Sequence, residues 1–91
     1  MSDKIVTIYT SAVCPFCHWA KDMLNKKAVA FNEIRIDLEQ GQAEAMKKRS
    51  GRMSVPQIFI GDHHVGGYDD MAALDRSGEL DGLLGLSAPS M

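Results

Sequence analysis

The chain has 91 residues, which suffice for one domain with a modest core and not for two. Hydrophobic residues make up 45% and charged residues 24%, the balance of a globular protein. The formal net charge of −2 lacks the basic surplus of a nucleic-acid binder, and no apolar run has the length of a membrane span. No hydrophobic export segment follows the first four residues, so a cytoplasmic location is the expectation. The two cysteines, Cys14 and Cys17, are too few and too close for a disulfide-stapled secreted scaffold.

Residues 5–9 are β-branched and aromatic and predict a strand, followed by a short connection. Pro15 suits a first helical turn, where its missing N–H costs nothing. Cys17, Ala20 and Leu24 then recur at helical spacing, which predicts a helix to about Lys27. Residues 30–36 alternate around Phe31, Ile34 and Ile36 and predict a second strand. Residues 42–50 predict a polar helix stopped by Gly51. Residues 57–60 predict a third strand, Gly61-Asp62 a turn, and residues 63–65 a short fourth strand. Gly66-Gly67 breaks the chain, and Asp69 or Asp70 is expected to cap a helix ending near Gly78. Residues 80–84 add a further helical turn.

The order β-α-β-α-β-β-α predicts an α/β fold: a mixed four-stranded sheet with helices on both faces, its helix-linked strands parallel and its last pair antiparallel. A single domain over residues 1–86 with a flexible tail at 87–91 is expected. Met23, Phe31, Met46, Phe59 and Met71 are read as core, His63 and His64 as exposed, and Trp19 as partly exposed. The basic run Lys47-Lys48-Arg49 is read first as a solvated helix face.

Cys14-Pro15-Phe16-Cys17 carries the chemistry. The first is placed between a strand and the opening of a helix, where backbone N–H groups without helical partners face outward. Thiols at such positions have pKa values of about 3.5–7.5, against about 8.5 for a free cysteine, and the thiolate is the attacking species in disulfide exchange. Cys17, one helical turn on, is placed to resolve a mixed disulfide held on Cys14. A zinc half-site would need further ligands, and His63-His64 is far along the chain. Cys14-x-x-Cys17-His18 also fits a haem-attachment pattern, but the surrounding β-α-β order suits a redox fold better.

Three stretches together resemble the glutaredoxin family: Tyr9-Thr10-x-x-x-Cys14-Pro15-Phe16-Cys17, Ser54-Val55-Pro56, and Gly66-Gly67-Tyr68-Asp69-Asp70. They stand in the family's order, the likeness extends from about Ile5 to Leu84, and the chain looks like the small bacterial-type dithiol members. The resemblance implies a thioredoxin-like fold, a cis Pro56, and reduction of protein disulfides and glutathionylated thiols with glutathione as co-substrate and no tightly bound cofactor. It makes Cys14 and Cys17 catalytic, and Phe16, Ser54, Val55, Pro56, Gly67, Tyr68 and Asp69 glutathione contacts. A cis Pro56 would let Val55 offer backbone groups to the cysteinyl part of glutathione, like an added strand. The start of the third helix would take a carboxylate.

Some residues depart from the family pattern. Ser11 stands where many members carry lysine, Met53 where arginine or threonine is frequent, and Ala43 where a polar group is common. The anchor for glutathione's glycyl carboxylate is thus open between Arg49, Lys47 and Arg52. The chain is expected to act as a monomer on protein substrates, without nucleic acid, membrane or metal. The resemblance also admits a carrier of a glutathione-ligated [2Fe–2S] cluster, against which Pro15 argues, and a thioredoxin-like protein served by a reductase.

Overall fold

The computed structural model describes residues 5–85. The expected tail at 87–91 and the expected domain limit at 86 lie outside the described residues. The elements are β1 (Val6–Thr10), α1 (Pro15–Lys26), β2 (Asn32–Arg35), α2 (Gln42–Ser50), β3 (Gln57–Ile60), β4 (His63–Gly66), α3 (Tyr68–Ser77) and α4 (Glu79–Leu84). They form a four-stranded sheet of order β2-β1-β3-β4. β1 and β2, joined through α1, are parallel, while β1–β3 and β3–β4 are antiparallel.

Strand alternation sends neighbouring side chains to opposite faces of this sheet. Val6, Ile8, Ile58 and Ile60 point to one face and build the larger apolar cluster with Ala20 and Leu24 of α1, Met71 of α3, and Leu80 and Leu84 of α4. Tyr9 and Phe59 point to the other face, where Met46 of α2 closes over them. Helices therefore cover both faces, as the element order requires. Of the expected core, Met46, Phe59 and Met71 are buried, while Met23 and Phe31 pack half-buried at its margin.

Several boundaries differ from the sequence expectation. β2 is four residues long, where alternation suggested seven. The apolar pattern marks which side chains face inward, whereas the ladder runs only where β1 supplies a partner, from Thr7↔Asn32 to Thr10↔Arg35. Pairing with Arg35 likewise carries β1 to Thr10, and pairing with Ile58 carries β4 to Gly66. His64 is a clearer correction: it is half-buried, not exposed, because it is paired with Phe59 and stacks on that ring at 4.8 Å between centroids. α3 is not capped from in front by Asp69 or Asp70. Gly67 is the N-cap residue, and Asp70, in the third helical position, reaches back so that its Oδ2 accepts the Gly67 N–H at 3.0 Å.

Helix α1 ends without glycine. Ala28 takes the left-handed conformation at φ 58°, and the Val29 N–H closes the helix by donating to the Leu24 carbonyl at 3.0 Å. Gly66 is a harder requirement. Its φ is +115°, and a Cβ there would run into the Asp70 carboxylate. Gly67 would meet only the Pro56 carbonyl, at 3.5 Å. Gly66→Ala is therefore expected to cost about 1–3 kcal/mol in urea unfolding, and Gly67→Ala less than about 0.5 kcal/mol. Equal costs at the two positions would contradict this account.

Candidate active site

The site is built at the carboxyl ends of the parallel pair β1 and β2, where the chain leaves β1 for α1. Residues of the connection are tied down from β2. The Ala12 N–H donates to Asp37 Oδ2 at 3.1 Å, and Arg35 clamps the same carboxylate through Nε and Nη2 at 2.8 and 2.7 Å. The Arg35 fork is the main reason the Asp37 carboxyl is held down to about 2. Nearby, the Thr10 hydroxyl donates to Glu33 at 2.7 Å and Lys21 of α1 bonds the same carboxylate at 2.9 Å, which lowers the Glu33 pKa, the hydroxyl contributing most.

Cys14 is the N-cap residue of α1. Its backbone is extended, with φ −151° and ψ 92°, and its Sγ accepts the Cys17 N–H at 3.1 Å. Pro15 occupies the first helical position and offers no donor that would compete. Cys17 lies on the buried side of α1 with Ala20 and Leu24. The two cysteines are joined in a disulfide with Cα atoms 5.2 Å apart. Both residues are buried, with 7% of Cys14 and 1% of Cys17 exposed, so Cys14 is the more accessible of the two.

A cavity of about 200 Å³ is lined by Phe16, which stands between the two cysteines in the chain, by the segment from Ser54 to Gln57, by Gly67 to Asp70, and by Arg52. All seven residues expected to contact glutathione line it. The Val55–Pro56 bond is cis. On one wall, the first amides of α3 have no carbonyl of their own helix to bond and are free to serve an anion. Phe16, Trp19 and Tyr68 form a contiguous aromatic group, with Phe16–Trp19 centroids 5.1 Å and Trp19–Tyr68 centroids 5.8 Å apart. Phe16 and Trp19 are 48% and 51% exposed.

The basic residues separate clearly. Lys47, Lys48 and Arg49 are exposed on α2. Arg49 is engaged away from the cavity: it donates to the Tyr9 hydroxyl at 3.1 Å and lies over the Phe59 ring at 4.0 Å. Among the three candidate anchors, Arg52 is the one that lines the cavity, and it reaches Asp70 Oδ2 at 3.1 Å. His18 is exposed. Among the described residues, no three or more His, Cys, Asp and Glu side chains are grouped to hold a metal ion. No helix among them is long and apolar enough to cross a membrane.

A sequence model of the glutaredoxin family matches residues 6–65. The chain belongs to the glutaredoxin family. Among its relatives, glutaredoxin 3 of Escherichia coli (strain K12) is 54% identical over 79 residues, spanning 87% of this chain and 95% of that protein. The solution structure of glutaredoxin from Brucella melitensis is 45% identical with a TM-score of 0.78, covering 94% of each chain. The buckwheat glutaredoxin–glutathione complex is 26% identical with a TM-score of 0.83, covering 90% of this chain and 77% of that one. With its Cys14–Cys17 disulfide, this glutaredoxin is a thiol–disulfide oxidoreductase of thioredoxin-like fold.

Sequence reasoning missed two connected residues, Gln57 and His64. The signal was present: Gln57 interrupts an otherwise apolar strand, and a buried amide requires partners.

Asp70 yields a pH prediction. The Gly67 N–H, and then Arg52, lower its pKa below the ordinary 3.8. A depressed carboxyl stabilises the fold above its unfolded pKa, and that contribution is lost as pH falls from 3.8 through the lower folded value. Asp70→Asn is expected to lower stability at neutral pH by less than about 1 kcal/mol, because the side chain is half in water. It should also flatten the acid loss, which thermal melts across pH 2–7 would read.

Proposed function

We propose that this glutaredoxin reduces protein disulfides and glutathionylated thiols, with glutathione as the co-substrate that returns the enzyme to its dithiol form. The Cys14 thiolate attacks one sulfur of the substrate S–S bond, forming a mixed disulfide and releasing the other sulfur as thiolate. With a glutathionylated substrate, the mixed disulfide carries glutathione, and a second glutathione thiolate displaces Cys14. With a protein disulfide, the Cys17 thiolate displaces the substrate and leaves the Cys14–Cys17 disulfide. Two glutathione molecules then reduce that disulfide and leave as glutathione disulfide, so two electrons and two protons balance.

The observation that carries the reading is the cavity that the Cys14–Cys17 segment lines with Phe16, which combines a peptide-like wall at Ser54–Val55–Pro56 with a helix N-terminus at Gly67–Tyr68–Asp69. Glutathione needs both features: a backbone to pair with its cysteinyl part, and N–H groups for its γ-glutamyl carboxylate. The related buckwheat protein is known as a complex with glutathione. Arg52 is the cation that completes the cavity, and in this reading it takes a glutathione carboxylate in exchange for part of its contact with Asp70. The reading includes a cytoplasmic setting, where thiols are kept reduced, and a monomer meeting its protein substrates singly.

Turnover of a small mixed disulfide of glutathione, coupled to glutathione reductase, tests this directly. Cys14→Ser is expected to abolish turnover. Cys17→Ser should keep it on glutathionylated thiols and lose it on protein disulfides. Turnover that survives Cys14→Ser, or an enzyme that accepts electrons only from a dedicated reductase, would refute the proposal. Arg52→Ala is expected to raise KM for the glutathionylated substrate about tenfold with little change in kcat, as loss of a charge-assisted bond to bound substrate should.

A further inference from the structure

Gln57 opens β3 directly after Pro56, and its side chain is buried, at 1% exposed. Its Nε2 donates to the Ser54 carbonyl at 3.0 Å and lies 3.3 Å from the Ser54 hydroxyl. A backbone carbonyl only accepts, so the amide nitrogen must face Ser54 and Oε1 must face the other way. There, Oε1 meets His64 Nε2 at 2.7 Å. An amide oxygen also only accepts, so His64 Nε2 must carry a hydrogen. The ring is thus confined to forms protonated at Nε2. It is also fixed in place, half-buried on β4 and stacked on Phe59 with planes 26° apart. Burial pushes its pKa below the ordinary value, which favours the neutral ring.

His64 does not line the cavity, whereas Ser54, Val55, Pro56 and Gln57 all do. Its route to the cavity is the Gln57 amide, which bridges back three residues and closes the Ser54–Gln57 segment from behind. We propose that His64 is a positioning residue: through Nε2–H it holds the Gln57 amide in one orientation, and the amide holds the Ser54–Val55–Pro56 wall at the geometry that receives the substrate peptide. The proposal rests on the glutathione reading above for the identity of that substrate. It predicts an effect on substrate capture rather than on the chemical step, because neither side chain approaches the cysteine sulfurs through these bonds.

Two measurements test it. Nitrogen-15 NMR of the imidazole rings in the reduced wild-type protein should find His64 with its proton on Nε2; a neutral ring protonated on Nδ1 would overturn the proposal without any variant. In the coupled assay with a small glutathione mixed disulfide, His64→Leu leaves the Gln57 oxygen buried without a donor and is expected to raise KM about tenfold at little changed kcat. In His64→Gln the side-chain amide can again supply a donor, and KM should return to within about twofold of wild type. An unchanged KM in a folded His64→Leu protein would overturn the proposal, as would a His64→Gln variant that is as impaired as the leucine variant. If the leucine variant does not fold, the tautomer and the glutamine variant decide. An inactive wild-type enzyme would instead overturn the glutathione reading, and the tautomer result would stand apart from it.

Discussion

The structure depends first on where the Cys14 sulfur sits relative to the opening of α1. An extended residue at the N-cap folds its side chain back on the first turn, and here the atom that takes the Cys17 N–H is sulfur, where serine or aspartate would be usual. The amides that a helix start leaves without partners are thus directed at a group whose reactive form is an anion. The bond also fixes Cys17 one turn along, on the side of α1 that packs with Ala20 and Leu24 against the sheet. Packing of the first helix and spacing of the two sulfurs are therefore one arrangement. A shift of α1 that loosened the core would also move the pair.

Around that centre, carboxylates bond to several of the connections. Asp37 anchors the Ala12 amide, Glu33 joins Thr10 to Lys21, and Asp70 joins the Gly67 amide to Arg52. Each ties a backbone segment beside the site to a neighbouring element. Far from the site, Lys27 holds Asp75 and Asp81, and these two partners raise its pKa. Such pairs add little stability individually in water, but each one selects a single geometry for a segment that apolar packing leaves undetermined.

Most of the architecture was legible in the residues, because it follows from periodicity. The 42–50 helix with its Gly51 stop, the third strand and the parallel β-α-β unit all follow from spacing and from one glycine. The cavity was legible for a different reason: its walls are short motifs with unusual backbone, Ser54-Val55-Pro56 and Gly66-Gly67, which leave a mark in sequence. What could not be read were the side-chain partners. Nothing local to Arg49 says that its guanidinium lies over Phe59, ten residues on, or that His64 is half-buried rather than exposed at a hairpin. Those outcomes depend on which strands become neighbours. The choice between Asp69 and Asp70 at α3 turned on one residue of helix phase, since only the third position can reach back to the capping amide.

The aromatic group beside the disulfide makes the protein its own indicator. Trp19 is the sole tryptophan, and it touches Phe16 and Tyr68, the two rings that wall the cavity. A molecule in the cavity that contacts either ring changes the surroundings of the indole. Occupancy of the site and its emission spectrum are thereby linked, with no label added to the chain.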